Sequence, residues 1–160
     1  MRKALDFLPG PLANLSITGN YTRIYSAIDY NVVYTVVAPD GTLQAATKTL
    51  NREMQGQSPY IINFSLMYRE PSSQTTVNLL YNEFGRKLDA VGDVRVEDIM
   101  ENARSVLDLT ITQLILNNLE LKFSAKDIQG KARVFETRNG ENYRTINMGT
   151  TYSVQVSVTL

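Results

Sequence analysis

A two-residue alternation of apolar and polar side chains, recurring in six places, constrains this chain more than any other feature. Leu15, Ile17, Gly19 and Tyr21 alternate with Ser16, Thr18, Asn20 and Thr22. Ile62, Phe64, Leu66 and Tyr68 oppose Asn63 and Ser65, with Met67 the exception; Val77, Leu79 and Tyr81 oppose Asn78 and Asn82. Leu107, Leu109 and Ile111 oppose Asp108, Thr110 and Thr112; Leu119, Leu121, Phe123 and Ala125 oppose Glu120, Lys122, Ser124 and Lys126. The last run sets Tyr152, Val154, Val156, Val158 and Leu160 against Ser153, Gln155, Ser157 and Thr159. Successive side chains of a strand point to opposite faces, so each run predicts a strand with one oily and one wet face.

The connections alternate between two kinds. Short polar turns at 8–14, 70–74 and 116–118 suit tight reversals, whereas longer, more charged segments lie at about 30–58, 85–105 and 127–145. This predicts an all-β, antiparallel up-and-down meander of about six long strands, with short turns at one end and long loops at the other. Pro39-Asp40-Gly41 and Asn139-Gly140 read as hairpin tips that let the strands run on past their alternating sections. RVEDIMENARS, 95–105, is read as loop; a short helix is the alternative, since Val96, Ile99, Met100 and Ala103 fall on one helical side.

Composition then removes classes of function. The 160 residues carry 16 basic and 16 acidic side chains with no basic tract, so the electrostatic footprint of a nucleic-acid binder is missing. The chain has neither cysteine nor histidine, which removes thiol nucleophiles, disulfides, the usual zinc ligands and the commonest acid/base group at neutral pH. MRKALDFLPG lacks the apolar run of about 7 to 15 residues that a signal peptide needs. No stretch approaches the roughly 18 apolar residues of a spanning helix, but a β-barrel hides its hydrophobicity in alternate positions and stays open.

Alternation alone does not say which face is wet. Asp108, Glu120, Lys122 and Lys126 suit a water-filled lumen, and equally the outside of a soluble β protein. Tyr60 and Tyr68 bracket one strand at a separation of roughly 21 Å for a tilted strand, close to the apolar band between the aromatic girdles of an outer-membrane barrel; strand propensity alone also places tyrosines there. A final strand in register to Leu160 is expected to be a seam that pairs on both sides.

Several segments resemble a known family. REMQGQSPYIINFSLMYRE (52–70) followed by TTVNLLYNEFGRKLDAVG (75–92) resembles the closing part of the barrel of TonB-dependent outer-membrane receptors of the Bacteroidetes type. QGQSPY is the most specific piece. NARSVLDLTITQ (102–113), NLELKFSAKDIQG (118–130), the final run and FLPGPLANLSITGNYTRIYS (7–26) resemble the neighbouring strands, so the likeness spans about residues 5–160. Asn102–Ser105 stands where the family commonly has a Pro-Arg pair, and Leu160 where its barrels commonly end in an aromatic residue.

The resemblance implies a C-terminal portion, residues 1–160, of a transmembrane barrel in the bacterial outer membrane. Such barrels look like walls of about 22 strands around a plug. Plug, TonB box and earlier strands have no counterpart here, and six strands are too few to close around water when the smallest barrels use about eight. The chain is therefore expected to be the wall and extracellular-loop segment of an importer of a bulky solute: a siderophore, a glycan or a peptide. Implied partners are the remaining strands and plug of the same receptor, lipid and lipopolysaccharide, with a surface lipoprotein among those the resemblance allows. Loops 30–58, 85–105 and 127–145 would help select cargo. A small complete eight-stranded outer-membrane barrel, with two more strands hidden in 30–58 and 127–145, and a soluble β-sandwich or lipocalin-like binding protein remain the alternatives.

No catalytic, cofactor-binding or metal-binding residue is assigned, and no enzyme activity is expected. Asp89, Asp93, Glu97, Asp98 and Glu101 form an acidic group whose spacing matches no calcium loop and reads as solvated loop. The sequons at 14–16, 20–22 and 63–65 read as strand residues of the polar face. Arg52, Arg69, Arg86 and Arg104 pair with carboxylates or with lipopolysaccharide phosphates, or else line a lumen and contact an anionic solute or the plug.

Overall fold

Each alternating run forms a strand. The computed structural model describes residues 2–93, 96–116 and 118–159, with the side chains of Arg2 and Leu116 left aside. Leu160, on which the expected seam ends, lies outside the described residues, as do Arg95 and Asn117 of the loop and turn read above. Thirteen strands are described: β1 (Arg2–Ala4), β2 (Leu15–Arg23), β3 (Ile28–Val37), β4 (Leu43–Arg52), β5 (Tyr60–Glu70), β6 (Thr75–Phe84), β7 (Lys87–Ala90), β8 (Ile99–Glu101), β9 (Arg104–Leu116), β10 (Leu119–Lys126), β11 (Arg133–Thr137), β12 (Asn142–Ile146) and β13 (Thr151–Val158). The helical element among the described residues is a 3-10 turn at Gly10–Asn14.

Seven strands make one antiparallel sheet in the order β1-β2-β5-β6-β9-β10-β13, so the six long strands follow one another up and down as expected. Register brings the oily positions of all six into shared rows. Leu15, Tyr68, Val77, Ile111, Phe123 and Val154 form one row; Ile17, Leu66, Leu79, Leu109, Ala125 and Tyr152 form the next. A one-residue slip at any ladder would turn a strand inside out, so the pattern pins each pairing. The stripe also slides along the ladder: it spans Leu15 to Tyr21 on β2, yet Val154 rather than Val158 stands in the row of Leu15. A stripe that stays level while the register climbs is the geometry of strands tilted to a common axis.

The long connections correct the sequence reading. They do not prolong the meander. The segment 24–59 folds into the separate β3–β4 hairpin, whose tip turns at Gly41 (φ 81°) with Ala38 N–H donating to Thr42 O at 2.8 Å. Segments 85–103 and 127–150 combine into a second, four-stranded sheet, β12-β11-β8-β7, with Asn139-Gly140 at the β11–β12 tip. Ile99–Glu101 is a strand there, so the helix reading fails and the loop reading holds for 96–98 and 102–103 but not for Ile99–Glu101 or for Arg104 and Ser105, which open β9. The reason is partnership: Phe135, Glu136 and Thr137 of β11 present a ladder to Glu101, Met100 and Ile99, and a paired strand satisfies backbone groups that an isolated helical turn leaves open. The reversal at 8–14 also carries more structure than a tight turn. Its first arm, β1, pairs with Ser16–Thr18, and Asn14 of the first sequon sits in the 3-10 turn rather than in a strand.

Candidate functional site

Three features stand out: a bare apolar face, a motif that fastens loops to wall, and a charged loop layer. Among the described residues no large apolar side chain on the oily face of the seven-stranded sheet is buried. Tyr152, Val154, Val156 and Val158 are 68%, 66%, 61% and 58% exposed, and Phe64 and Tyr21 are exposed as well. The buried large apolar residues, Leu88, Ile99, Met100 and Phe135, belong instead to the four-stranded loop sheet. Apolar surface left in water is unfavourable by about 25 cal/mol per Å², and contiguous exposed patches mark contact with another apolar phase.

The opposite face carries a polar ladder. Asn82 Nδ2 donates to Asn63 Oδ1 at 2.6 Å and Ser65 Oγ to Asn78 Oδ1 at 2.8 Å. The Asn20 and Asn63 sequons therefore fall on this face, with Asn63 already engaged across strands. Both lateral edges of the sheet are open. β13 pairs with β10 alone, and from Asn20 to Arg23 no described strand lies against the outer edge of β2.

Both ends of β5 anchor a tyrosine to a carboxylate. Tyr60 OH donates to Glu83 Oε1 at 3.0 Å at the long-loop end, where Tyr81 OH also donates to Glu83, and Tyr68 OH donates to Glu70 Oε2 at 2.6 Å at the short-turn end. A tyrosine with its ring on oily surface and its hydroxyl on a polar partner suits a boundary between two media. The sequence reading missed Glu83, although its parity puts an acid on the same face as Val77, Leu79 and Tyr81, which was the available signal.

QGQSPY ties the loop layer to the wall. Gln55 Nε2 donates to Asp89 O at 2.7 Å and Gly56 N–H to Leu88 O at 2.7 Å, both on β7. The buried Ser58 hydroxyl lies 2.7 Å from Tyr60 O and 3.1 Å from Gly85 O, while Pro59 O accepts from Ile24 N–H at 3.0 Å. Gly85 is required for close approach: a Cβ there would stand 2.7 Å from the Tyr60 ring.

The acidic group does not converge. Glu101 is 1% exposed, with Arg133 Nε 2.7 Å from Oε1 and Lys87 Nζ 3.2 Å from Oε2. Burial pushes its carboxyl up, but the hydrogen bond from Arg133 and the two nearby cations outweigh that and hold it below the ordinary value. The same hydrogen bond raises the Arg133 guanidinium. Phe135, buried beside this cluster, has the guanidinium groups of Arg133 and Arg144 at 5.2 and 4.4 Å from its ring centre. Asp98 accepts from Gly92 N–H at 2.8 Å and from Arg138 at 3.0 Å, and Glu97 accepts from Asn139. No group of three acidic side chains arranged to hold a metal ion occurs among the described residues.

Of the four arginines singled out by sequence, Arg104 pairs with Asp127 and donates Nε to Lys131 O at 2.9 Å, a structural role. Arg69 stands in a shallow hollow at the short-turn end with Glu70 and Glu120. Arg52 and Arg86 meet at a different place, the cavity between the hairpin base and the ends of β2 and β5. The chain matches no family model, no curated protein and no solved structure.

Proposed function

We propose that this chain is a wall and surface-loop segment of a TonB-dependent importer in the bacterial outer membrane, carrying a bulky solute such as a siderophore, glycan or peptide. The observation that carries the reading is the bare oily face: its rows run in register through six strands, have no covering layer, and lie opposite a polar face. Acyl chains are the natural cover for such a stripe, since a closed barrel in lipid alternates apolar outward and polar inward. The tilted stripe, the Tyr–Glu pairs at both ends of β5 and the open edges support the same reading, with the edges paired to further strands of the receptor and the polar face turned to its plug. The four-stranded sheet and the β3–β4 hairpin are then the outward loops that meet cargo or a surface lipoprotein.

Because the chain contains no cysteine, single cysteines report cleanly. In outer-membrane vesicles, Cys at Leu79, Leu109 or Val154 is expected to resist a membrane-impermeant maleimide and be quenched by brominated lipid. Cys at Asn78, Thr110 or Ser153 is expected to label. Equal labelling of both sets would refute the assignment. A detergent-free monomer on gel filtration would favour the soluble carrier, and a heat-modifiable closed barrel from residues 1–160 alone the small complete barrel. The strands at 28–52 and 133–146 join separate sheets rather than extending the seven-stranded one, which speaks against the latter.

A further inference from the structure

The cavity of about 360 Å³ at the foot of the β3–β4 hairpin is lined by Arg52, Arg86, Tyr25, Asn51, Gln57 and Glu53, among others. Its charge is unbalanced. Glu53 is engaged by Arg138 at 3.1 Å, and Arg138 also holds Asp98 at 3.0 Å. Arg52 lies 3.9 Å from the same Asp98, too far for a hydrogen bond, and its buried Nη1 has no hydrogen-bond partner. Arg86 is exposed and donates Nη2 to Thr137 O at 3.2 Å. Among the lining residues two guanidinium groups, Arg52 and Arg86, thus face one carboxylate, Glu53, which Arg138 already engages.

The walls are also rigid. The Arg52 guanidinium is stacked 3.9 Å from the centre of the Tyr30 ring, Asn51 Nδ2 donates to Asp29 Oδ1 at 2.6 Å, and Gln57 belongs to the fastened QGQSPY turn. A pre-placed guanidinium loses little freedom on binding and offers parallel N–H donors suited to a planar or tetrahedral oxyanion. Tyr25, 89% exposed, supplies an aromatic wall for the body that carries such a group.

We infer that this cavity binds the oxyanion group, phosphate or carboxylate, of a small solute through Arg86 and Arg52. The site lies outside the seven-stranded sheet and holds whether or not that sheet faces lipid. The test is calorimetric titration of the full chain in detergent micelles with sodium phosphate and, separately, sodium succinate, at constant ionic strength. Saturable binding of at least one probe is expected, weakened about tenfold or more in Arg86→Gln, since a charge-assisted hydrogen bond contributes about 1.5 kcal/mol or more and each 1.4 kcal/mol is tenfold. Arg86→Lys keeps the charge but not the fork and should fall between; Arg69→Gln, at the opposite end of the wall, should bind as the parent does. Arg86 is exposed, so its variants keep the loop layer folded, which an unchanged circular dichroism spectrum verifies. Absence of saturable binding for both anions, or full binding by Arg86→Gln, would overturn the site.

Discussion

The seven-stranded wall and the four-stranded loop sheet are built from the same kind of strand and solve opposite problems. The wall is long and uncovered, its ladders continuous but for one shift at Leu119/Glu120, and its oily rows are complete and bare. The loop sheet is short and irregular, with ladder shifts at Leu88/Ala90 and Phe135/Glu136, yet it holds the buried core of Leu88, Ile99, Met100 and Phe135 around the neutralised Glu101. The second is covered by its own side chains, whereas the first leaves its oily rows to whatever surrounds it.

The sharpest way to break that contrast is to empty the loop core. Phe135→Ala should destabilise the loop layer by about 3–5 kcal/mol, read as accelerated amide exchange at Leu88, Met100 and Glu101 while the β5–β6 ladder keeps its protection. Uniform loss throughout would show that the two regions are one cooperative unit. Glu101→Ala leaves Arg133 and Lys87 without their shared acid and should cost less, about 1.5–3 kcal/mol, since both cations keep contact with water.

The same carboxylate sets a pH dependence. Its folded value is depressed, so its contribution is complete above the ordinary carboxyl value of 4.5 and is lost as the pH falls through the lower folded one. Protection factors of the amides in β8 and β11, corrected for intrinsic exchange, should fall below about pH 4.5 in the parent and stay flat in Glu101→Gln.

On the wall, the medium decides the sign. Val154→Arg, at a side chain 66% exposed, should be nearly neutral in denaturant titrations of the detergent-free chain, because surface substitutions stay within about 0.5 kcal/mol. In lipid it should cost about 2–4 kcal/mol, the usual penalty for a cation at mid-bilayer depth. A comparable cost in both media would place that face in a protein core. Gly85→Ala tests the fastening between the regions: its Cβ would press on the Tyr60 ring at 2.7 Å, and overpacking of this kind costs about 1–3 kcal/mol. Rescue by Tyr60→Ala is expected. The smallest effect, under about 0.5 kcal/mol in water, belongs to Val156→Ala, whose side chain touches mostly solvent.

Alternation and turn chemistry are local properties, and from them the six long strands, their order and the antiparallel meander could be read in the residues alone. The sites of reversal followed too, because Asp40-Gly41 and Asn139-Gly140 favour tight turns whatever surrounds them. Whether a hairpin prolongs its parent strands or leaves them was not legible, since it depends on which distant ladder is available: β8 became a strand because β11, more than thirty residues on, offered it one. The cluster of Lys87, Glu101 and Arg133, and the meeting of Arg52 with Arg86, were hidden for the same reason.

The sequence by itself therefore determined which face of each ribbon is oily, because side-chain parity is set by the backbone. The tertiary structure alone decided that those faces align in uncovered rows while the charged loops enclose the only substantial core among the described residues, because burial depends on contacts between segments far apart in the chain.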